Sequence, residues 1–201
     1  MPHNGQIHLL FPTAIQVSEI EGAAALNESL VKGCHDIMAT TPNFKPDAWS
    51  CNLYTTIESP VSVLEQAPFD ALTDIITSGV TKYARTLRFD IDNHPPRINE
   101  CWINVYGEGH SQEVHCHRNS VFSGIYYVKA PEGCGALIFH SPMADQMLEP
   151  PITERNPLNT EGFYIEPVAG RMVVFRSWLR HSVKPNNIKE ERISVAFNVT
   201  M

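Results

Sequence analysis

At 201 residues, with 43% hydrophobic and 18% charged side chains, the chain can bury a substantial core and is expected to form one domain, residues 1–201. A formal charge of −7 argues against nucleic acid or an anionic membrane as partner. No apolar run approaches the ~18 residues needed to span a bilayer.

The opening MPHNGQIHLLF lacks the basic and long apolar regions of an export signal. Cys34, Cys51, Cys101, Cys116 and Cys134 are odd in number and contain no CxxC pair, which suits reduced thiols and a cytoplasmic location. Residues 7–17, IHLLFPTAIQV, alternate around Pro12 as a short edge strand would, and such an edge offers pairing across a homodimer. Ser18 stands as a cap for a helix over 19–39, with Leu26, Leu30, Ile37 and Met38 among its apolar positions. A proline-broken stretch follows, in which Trp49, Cys51 and Leu53 alternate as in an extended segment. Ser59-Pro60 reads as a helix start, with a helical pattern to about Arg88, broken near Pro68. Phe69, Leu72, Ile75, Ile76, Val80, Tyr83, Ala84 and Leu87 fall on one face of it.

Beyond residue 98 the period changes to two. Short runs at 102–106, 123–128, 136–139, 163–166, 171–177 and 192–199 are punctuated by glycine and proline. Helices first and many short strands later predict an α+β chain: residues 1–98 as helical support with edge strands, residues 99–201 as an antiparallel β-barrel core. The polar, proline-rich stretch 141–160 has the length of a lid or binding loop.

Chemistry gathers around the polar turn between the first two of these strands, which carries His110, His115 and His117. On an extended segment His115 and His117 share a face, so both rings can reach one ion. Imidazole suits Fe(II), Zn(II), copper and nickel alike, so the spacing does not choose a metal, and a HxH in a polar turn is as often plain surface. His181, just past the 171–177 strand and beside Trp178 and Leu179, supplies a distant third ring. In the last strand Arg192, Ser194, Ala196 and Asn198 alternate with Ile193, Val195, Phe197 and Val199. The apolar set belongs under the helices, which leaves Arg192 with Ser194 facing the barrel interior. A buried guanidinium requires an anion, either a ligand carboxylate or an internal Asp or Glu.

In these elements the sequence resembles the 2-oxoglutarate and Fe(II)-dependent dioxygenases of the prolyl-hydroxylase-like group. Tyr106-Gly107, a spacer and His115 resemble that group's Tyr-x-x-Gly and His-x-Asp segment. The stretch 124–128, GIYYV, is similar to its strand with a cosubstrate-binding tyrosine. Residues 170–175 with His181 and Pro185 resemble the strand bearing the distal iron ligand, and Arg192-Ile193-Ser194 the R-x-S/T element that grips the far carboxylate of 2-oxoglutarate. More narrowly, QEVHCHRNSVFSGIYYVKAP with FRSWLRHSVKP resembles an uncharacterised subfamily of oxygenases found in phages and marine bacteria.

The resemblance implies a double-stranded β-helix (a cupin-like jelly roll), Fe(II), 2-oxoglutarate as cosubstrate, O₂, and ascorbate as a reductant. It implies hydroxylation of an aliphatic C–H in a protein side chain or small metabolite, with release of succinate and CO₂. Iron falls to His115, His117 and His181; the cosubstrate falls to Arg192 and Ser194, with Tyr127 or Tyr106 and Asn104. Strand phase allows only one of Tyr126 and Tyr127 to face the pocket. Asn198 and Arg176 are further candidates for the substrate side.

One departure stands out. The wider group has a carboxylate where this chain has His117, whereas the usual facial triad is two histidines and one carboxylate. Three histidines, Glu113 as the third ligand two residues before His115, or a water in that position remain open. Two other functions also remain: a three-histidine cupin-type dioxygenase or isomerase that does not use 2-oxoglutarate, and a non-catalytic jelly-roll binding module.

Overall fold

The computed structural model describes residues 4–143 and 150–201. Among the described residues ten strands form two antiparallel sheets: β1 (Ile15–Glu19), β2 (Tyr54–Thr55), β3 (Arg97–Tyr106), β4 (Gln112–His115), β5 (Phe122–Lys129), β6 (Leu137–His140), β7 (Gly162–Ile165), β8 (Arg171–Arg176), β9 (His181–Val183) and β10 (Arg192–Thr200). The larger sheet runs β1-β8-β5-β10-β3-β2 and the smaller β4-β9-β6-β7. Two helices, α1 (Ala23–Thr40) and α2 (Leu72–Thr86), cover the outer face of the larger sheet. This is the expected α+β architecture, a double-stranded β-helix with its helices on one face.

Strand alternation sorts the core into two layers. In β10, Ile193, Val195, Phe197 and Val199 join Leu30, Cys34, Ile76 and Val80 between sheet and helices. Helix α1 buries Ala23, Asn27, Leu30, Cys34 and Ile37, a spacing of three and four residues that keeps one stripe against the sheet. The opposite faces of the same strands, with Tyr127, Val173, Phe175 and Ala196, meet Leu137, Phe139 and Val183 of the smaller sheet. Cys51 and Leu53 enter this second layer as the alternation of their segment implies, although only Tyr54 and Thr55 pair as a strand.

The amino-terminal half departs from the sequence reading in three places. The first strand covers only Ile15–Glu19, and Ile7, Leu9, Leu10 and Phe11 are exposed. Ser18 does not cap α1: it pairs with Met172 in the β1–β8 ladder, and Arg171 holds Glu19 through a 2.7 Å ion pair, so the helix starts after Gly22 in a left-handed turn. No helix begins at Ser59-Pro60. The chain makes 3₁₀ turns at Val63–Glu65 and Phe69–Ala71 before α2, and Pro68 disfavours α-helix in the residue before it. Part of the expected lid, residues 144–149 of the 141–160 stretch, lies outside the described residues.

Close approach of β5 to β10 depends on Gly124. A Cβ there would run into the Phe197 ring and lie 2.7 Å from the Val173 carbonyl oxygen, a backbone clash no rotamer relieves. Gly124→Ala is therefore expected to destabilise the protein by about 1–3 kcal/mol, read as a lower urea midpoint. Gly5→Ala, in open space, should leave the midpoint unchanged.

Candidate metal centre

The site is built where the short strands of the smaller sheet meet the inner face of the larger one. β4 and β9 pair antiparallel with His115 directly opposite His181. His117 lies two residues beyond the end of β4, and its backbone N–H donates to the Ser177 carbonyl at 2.9 Å, which turns its ring toward the other two. Ring centroids are 4.2 Å apart for His115 and His181, 5.2 Å for His115 and His117, and 5.1 Å for His117 and His181. One nitrogen from each ring falls within a 4.8 Å cluster, and His115, His117 and His181 are the one such group among the described residues.

Each ring is held by an oxygen at its other nitrogen. His115 Nδ1 meets the Glu113 carbonyl at 2.8 Å, and His181 Nδ1 meets the Leu179 carbonyl at 2.9 Å. His117 Nδ1 meets Asn198 Oδ1 at 2.6 Å. A carbonyl or amide oxygen only accepts, so each Nδ1 carries the hydrogen and each Nε2 keeps a lone pair. This arrangement of neutral imidazoles with outer oxygen acceptors suits a divalent ion.

Burial acts in the same direction. It holds His115 below the usual imidazole range and His181 well below it, and brings His117 down to about 4.

Glu113 is not among the gathered donors. β4 is irregular between Gln112 and His115, so Glu113 does not share the face of His115. Its Oε1 accepts from the Ser50 backbone N–H at 3.0 Å instead. His110 is also elsewhere, accepting the Gly107 N–H through Nδ1 within its turn.

Arg192 is 1% exposed, and none of its three guanidinium nitrogens has a hydrogen-bond partner. Among the described residues no carboxylate pairs with it. It lies between the rings of Tyr106 and Tyr127, at 4.5 and 5.0 Å from their centroids. Burial raises the pKa of both phenols against the lowering pull of Arg192, so neither ionises to neutralise it. The Tyr127 hydroxyl is itself buried and unpaired.

Strand phase thus puts Tyr127 on the inner face, while Tyr126 points to the helices and donates to Asn27 at 2.7 Å. Ser194 is buried two residues along from Arg192. Asn104 and Tyr106 line a cavity of about 270 Å³ together with the three histidines, Trp102 and Phe175. Arg176 does not reach this cavity; its guanidinium lies over Phe89 on the helix side. Asn198 does, but as the partner of His117. The sequence placed Asn198 on the correct face and carried no sign of that contact, because the two residues are 81 positions apart.

The fold is a double-stranded β-helix with a prolyl-hydroxylase-like arrangement. Residues 100–198 match the family model described as "Putative 2OG-Fe(II) oxygenase". No curated protein matches the sequence. A prolyl-4-hydroxylase from Pseudomonas putida is similar in structure, with TM-score 0.62 and 16% identity over 94% of this chain and 92% of that one. HygX from Streptomyces hygroscopicus, determined with nickel, 2-oxoglutarate and hygromycin B, gives TM-score 0.63 and 11% identity over 94% and 83%. The collagen prolyl hydroxylase of Paramecium bursaria Chlorella virus-1, in complex with 2OG, gives 0.57 and 13% over 92% and 94%. At these identities the likeness is one of fold.

The centre itself corrects the functional expectation. A 2-oxoglutarate-dependent dioxygenase, with Fe(II) and 2-oxoglutarate as cofactors, was expected from motifs whose wider group has a 2-His-1-carboxylate triad. The assembled donors are His115, His117 and His181, with no carboxylate. An ion here would have three neutral ligands and keep its full double charge, without the anionic oxygen donor of the 2-oxoglutarate enzymes. That overturns the assignment of 2-oxoglutarate chemistry and, with it, ascorbate-supported hydroxylation coupled to succinate release.

The same buried rings predict a pH dependence. Their folded pKa values lie below the 6.5 of free imidazole, with His117 at about 4, so on acidification the unfolded chain takes up protons that the folded chain refuses. Stability of the metal-free protein should be fully present above pH 6.5 and fall as pH drops toward about 4. Urea midpoints across that range should show the loss, and His117→Gln should reduce its slope.

Proposed function

We propose that the chain is a metal-dependent oxidoreductase of the three-histidine, cupin-type class, acting with O₂ on a small carboxylate-bearing substrate and consuming no 2-oxoglutarate. The observation that carries this reading is the convergence of His115, His117 and His181, each with Nδ1 held and Nε2 free. Iron held by these three residues would supply the oxidising chemistry when bound.

The chain's own residues bind and orient. Arg192, buried and unpaired against the Tyr106 ring that lines the cavity, holds the substrate carboxylate, and Ser194 and the Tyr127 hydroxyl add donors beside it. Tyr106 and Tyr127 flank the guanidinium and keep water from it. Asn104 lines the wall next to Tyr106, and Trp102 and Phe175 make the remaining wall apolar. A space of about 270 Å³ suits a small molecule. In the dioxygenase reaction both atoms of O₂ enter the substrate, so no second organic acid is oxidised.

The narrower resemblance to phage and marine bacterial oxygenases rests on the segments QEVHCHRNSVFSGIYYVKAP and FRSWLRHSVKP. A cytoplasmic setting is supported by five free cysteines. Among the described residues no helix is long and apolar enough to cross a membrane.

Anaerobic loading with Fe(II) should give stoichiometric iron in the wild type and none in His181→Ala. Arg192→Met should stay folded, and become no less stable, because it removes an unpaired buried charge. In thermal melts, 3-mercaptopropionate and benzoate should stabilise the iron-loaded wild type and leave Arg192→Met unmoved. With 2-oxoglutarate alone, succinate should stay at the level of the metal-free control. Sustained succinate formation, abolished in Arg192→Met, would sink this reading.

A further inference from the structure

The third histidine stands at the head of a hydrogen-bonded chain that ends on a carboxylate. His117 Nδ1 meets Asn198 Oδ1 at 2.6 Å, and Asn198 Nδ2 donates to Glu100 Oε2 across the β10–β3 register pair. The Ser123 hydroxyl donates to the same Asn198 Oδ1 at 2.7 Å and contacts the Ser177 hydroxyl at 2.9 Å. Asn198 is 4% exposed, so its contact with His117 lies inside the protein, while Glu100 is exposed and stands at the cavity wall.

The direction of the chain is fixed from its outer end. An amide can present either its oxygen or its nitrogen to His117, and neutral imidazole can answer with either tautomer. The Ser123 hydroxyl does not choose, because it rotates to donate or accept. The Glu100 carboxylate only accepts. It forces Asn198 to turn Nδ2 outward and Oδ1 inward, which puts the hydrogen on His117 Nδ1 and the lone pair on Nε2. His115 and His181 need no such device, since main-chain carbonyls hold them. His117 alone depends on a side chain that could flip.

We propose that Glu100 is a positioning residue for the metal centre: acting through Asn198, it sets the tautomer of His117 and brings negative charge to the third ligand from outside the coordination shell. The metal part of this rests on the three-histidine reading above; the tautomer part does not. Glu100 occupies, one amide removed, the electrostatic role that a directly ligating carboxylate has in the wider group. Its charge orients and polarises His117 without reducing the number of histidine ligands.

The test separates the two parts. In the metal-free wild type, long-range ¹H–¹⁵N spectra should show His117 as the single Nδ1–H tautomer. Glu100→Gln, whose amide can accept or donate, should give a mixture of tautomers. Asn198→Asp in the Glu100→Gln background replaces the ambiguous amide next to His117 by an acceptor. The amide introduced at position 100 can then donate to it, so the single Nδ1–H tautomer should return. Metal titration of the same proteins with Co(II) and Fe(II) should show about 10–100-fold weaker binding in Glu100→Gln, with recovery in the double variant.

A Glu100→Gln protein that keeps the pure Nδ1–H tautomer and wild-type affinity would overturn the proposal, as would a double variant that restores neither. Failure of the wild type to bind either metal through these histidines would instead overturn the three-histidine reading, with the tautomer result still standing on its own.

Discussion

Everything at the centre of this molecule depends on one register: β4 lies against β9 with His115 opposite His181. Slipping either strand by one residue would turn one ring to the other face, because side chains alternate along a strand. Two links prevent it. Gln112 pairs with Val183 further along the same ladder, and the Ser177 carbonyl fixes the backbone of His117. Ser177 follows β8, a strand buried on both faces, so the third ring takes its position from the core of the larger sheet.

β10 joins the two halves of the structure. Its outer residues pack under the helices; its inner residues run from the buried Arg192 and Ser194 to Ala196 and Asn198, which line the cavity, Asn198 as the partner of His117. One strand therefore sets the separation between Arg192 and the histidines, and both of its neighbours, β3 and β5, are long and paired along most of their length. A site on such a strand is stiff. The ligand-gripping residue and the ring-holding residue cannot drift apart without breaking ladder bonds that also support the helix-side core.

Much of this was legible in the sequence because strands alternate. The two faces of β8 and β10, the inward Arg192 and the helix stripe around Val80 follow from period and spacing, while the meeting of His115 with His181 was implied by the family resemblance. Less legible was whatever depends on competition between local and distant partners. Ser18 has the chemistry of a cap and lost to a ladder with Met172. Glu113 would share a face with His115 on a regular strand, and the irregularity in β4 removes it. β4 and β9 are too short to announce themselves, and His110, equal to its neighbours in sequence, proved to close a turn. The 2-oxoglutarate expectation failed for a different reason. Motifs shared with a family carry its fold faithfully, but the identity of one ligand decides the chemistry, and here that ligand is histidine.

On the proposed reading, the barrel interior would contain two centres of positive charge, a divalent ion on three neutral rings and a guanidinium without a counterion among the described residues. Among the described residues neither is compensated by a direct carboxylate partner: Tyr106 and Tyr127 stay protonated, and Glu100 reaches the centre only through an amide. Burying such charge is costly unless an anion arrives, and an anion bound by Arg192 would lower the cost of the metal as well. Metal and substrate binding should then reinforce each other, since each supplies or satisfies charge the other faces. The chain as a whole carries a net charge of −7, so its long-range field does not draw anions in. Selection of a carboxylate must be made at short range, by a dry guanidinium between two aromatic rings, where loss of water makes each contact strong.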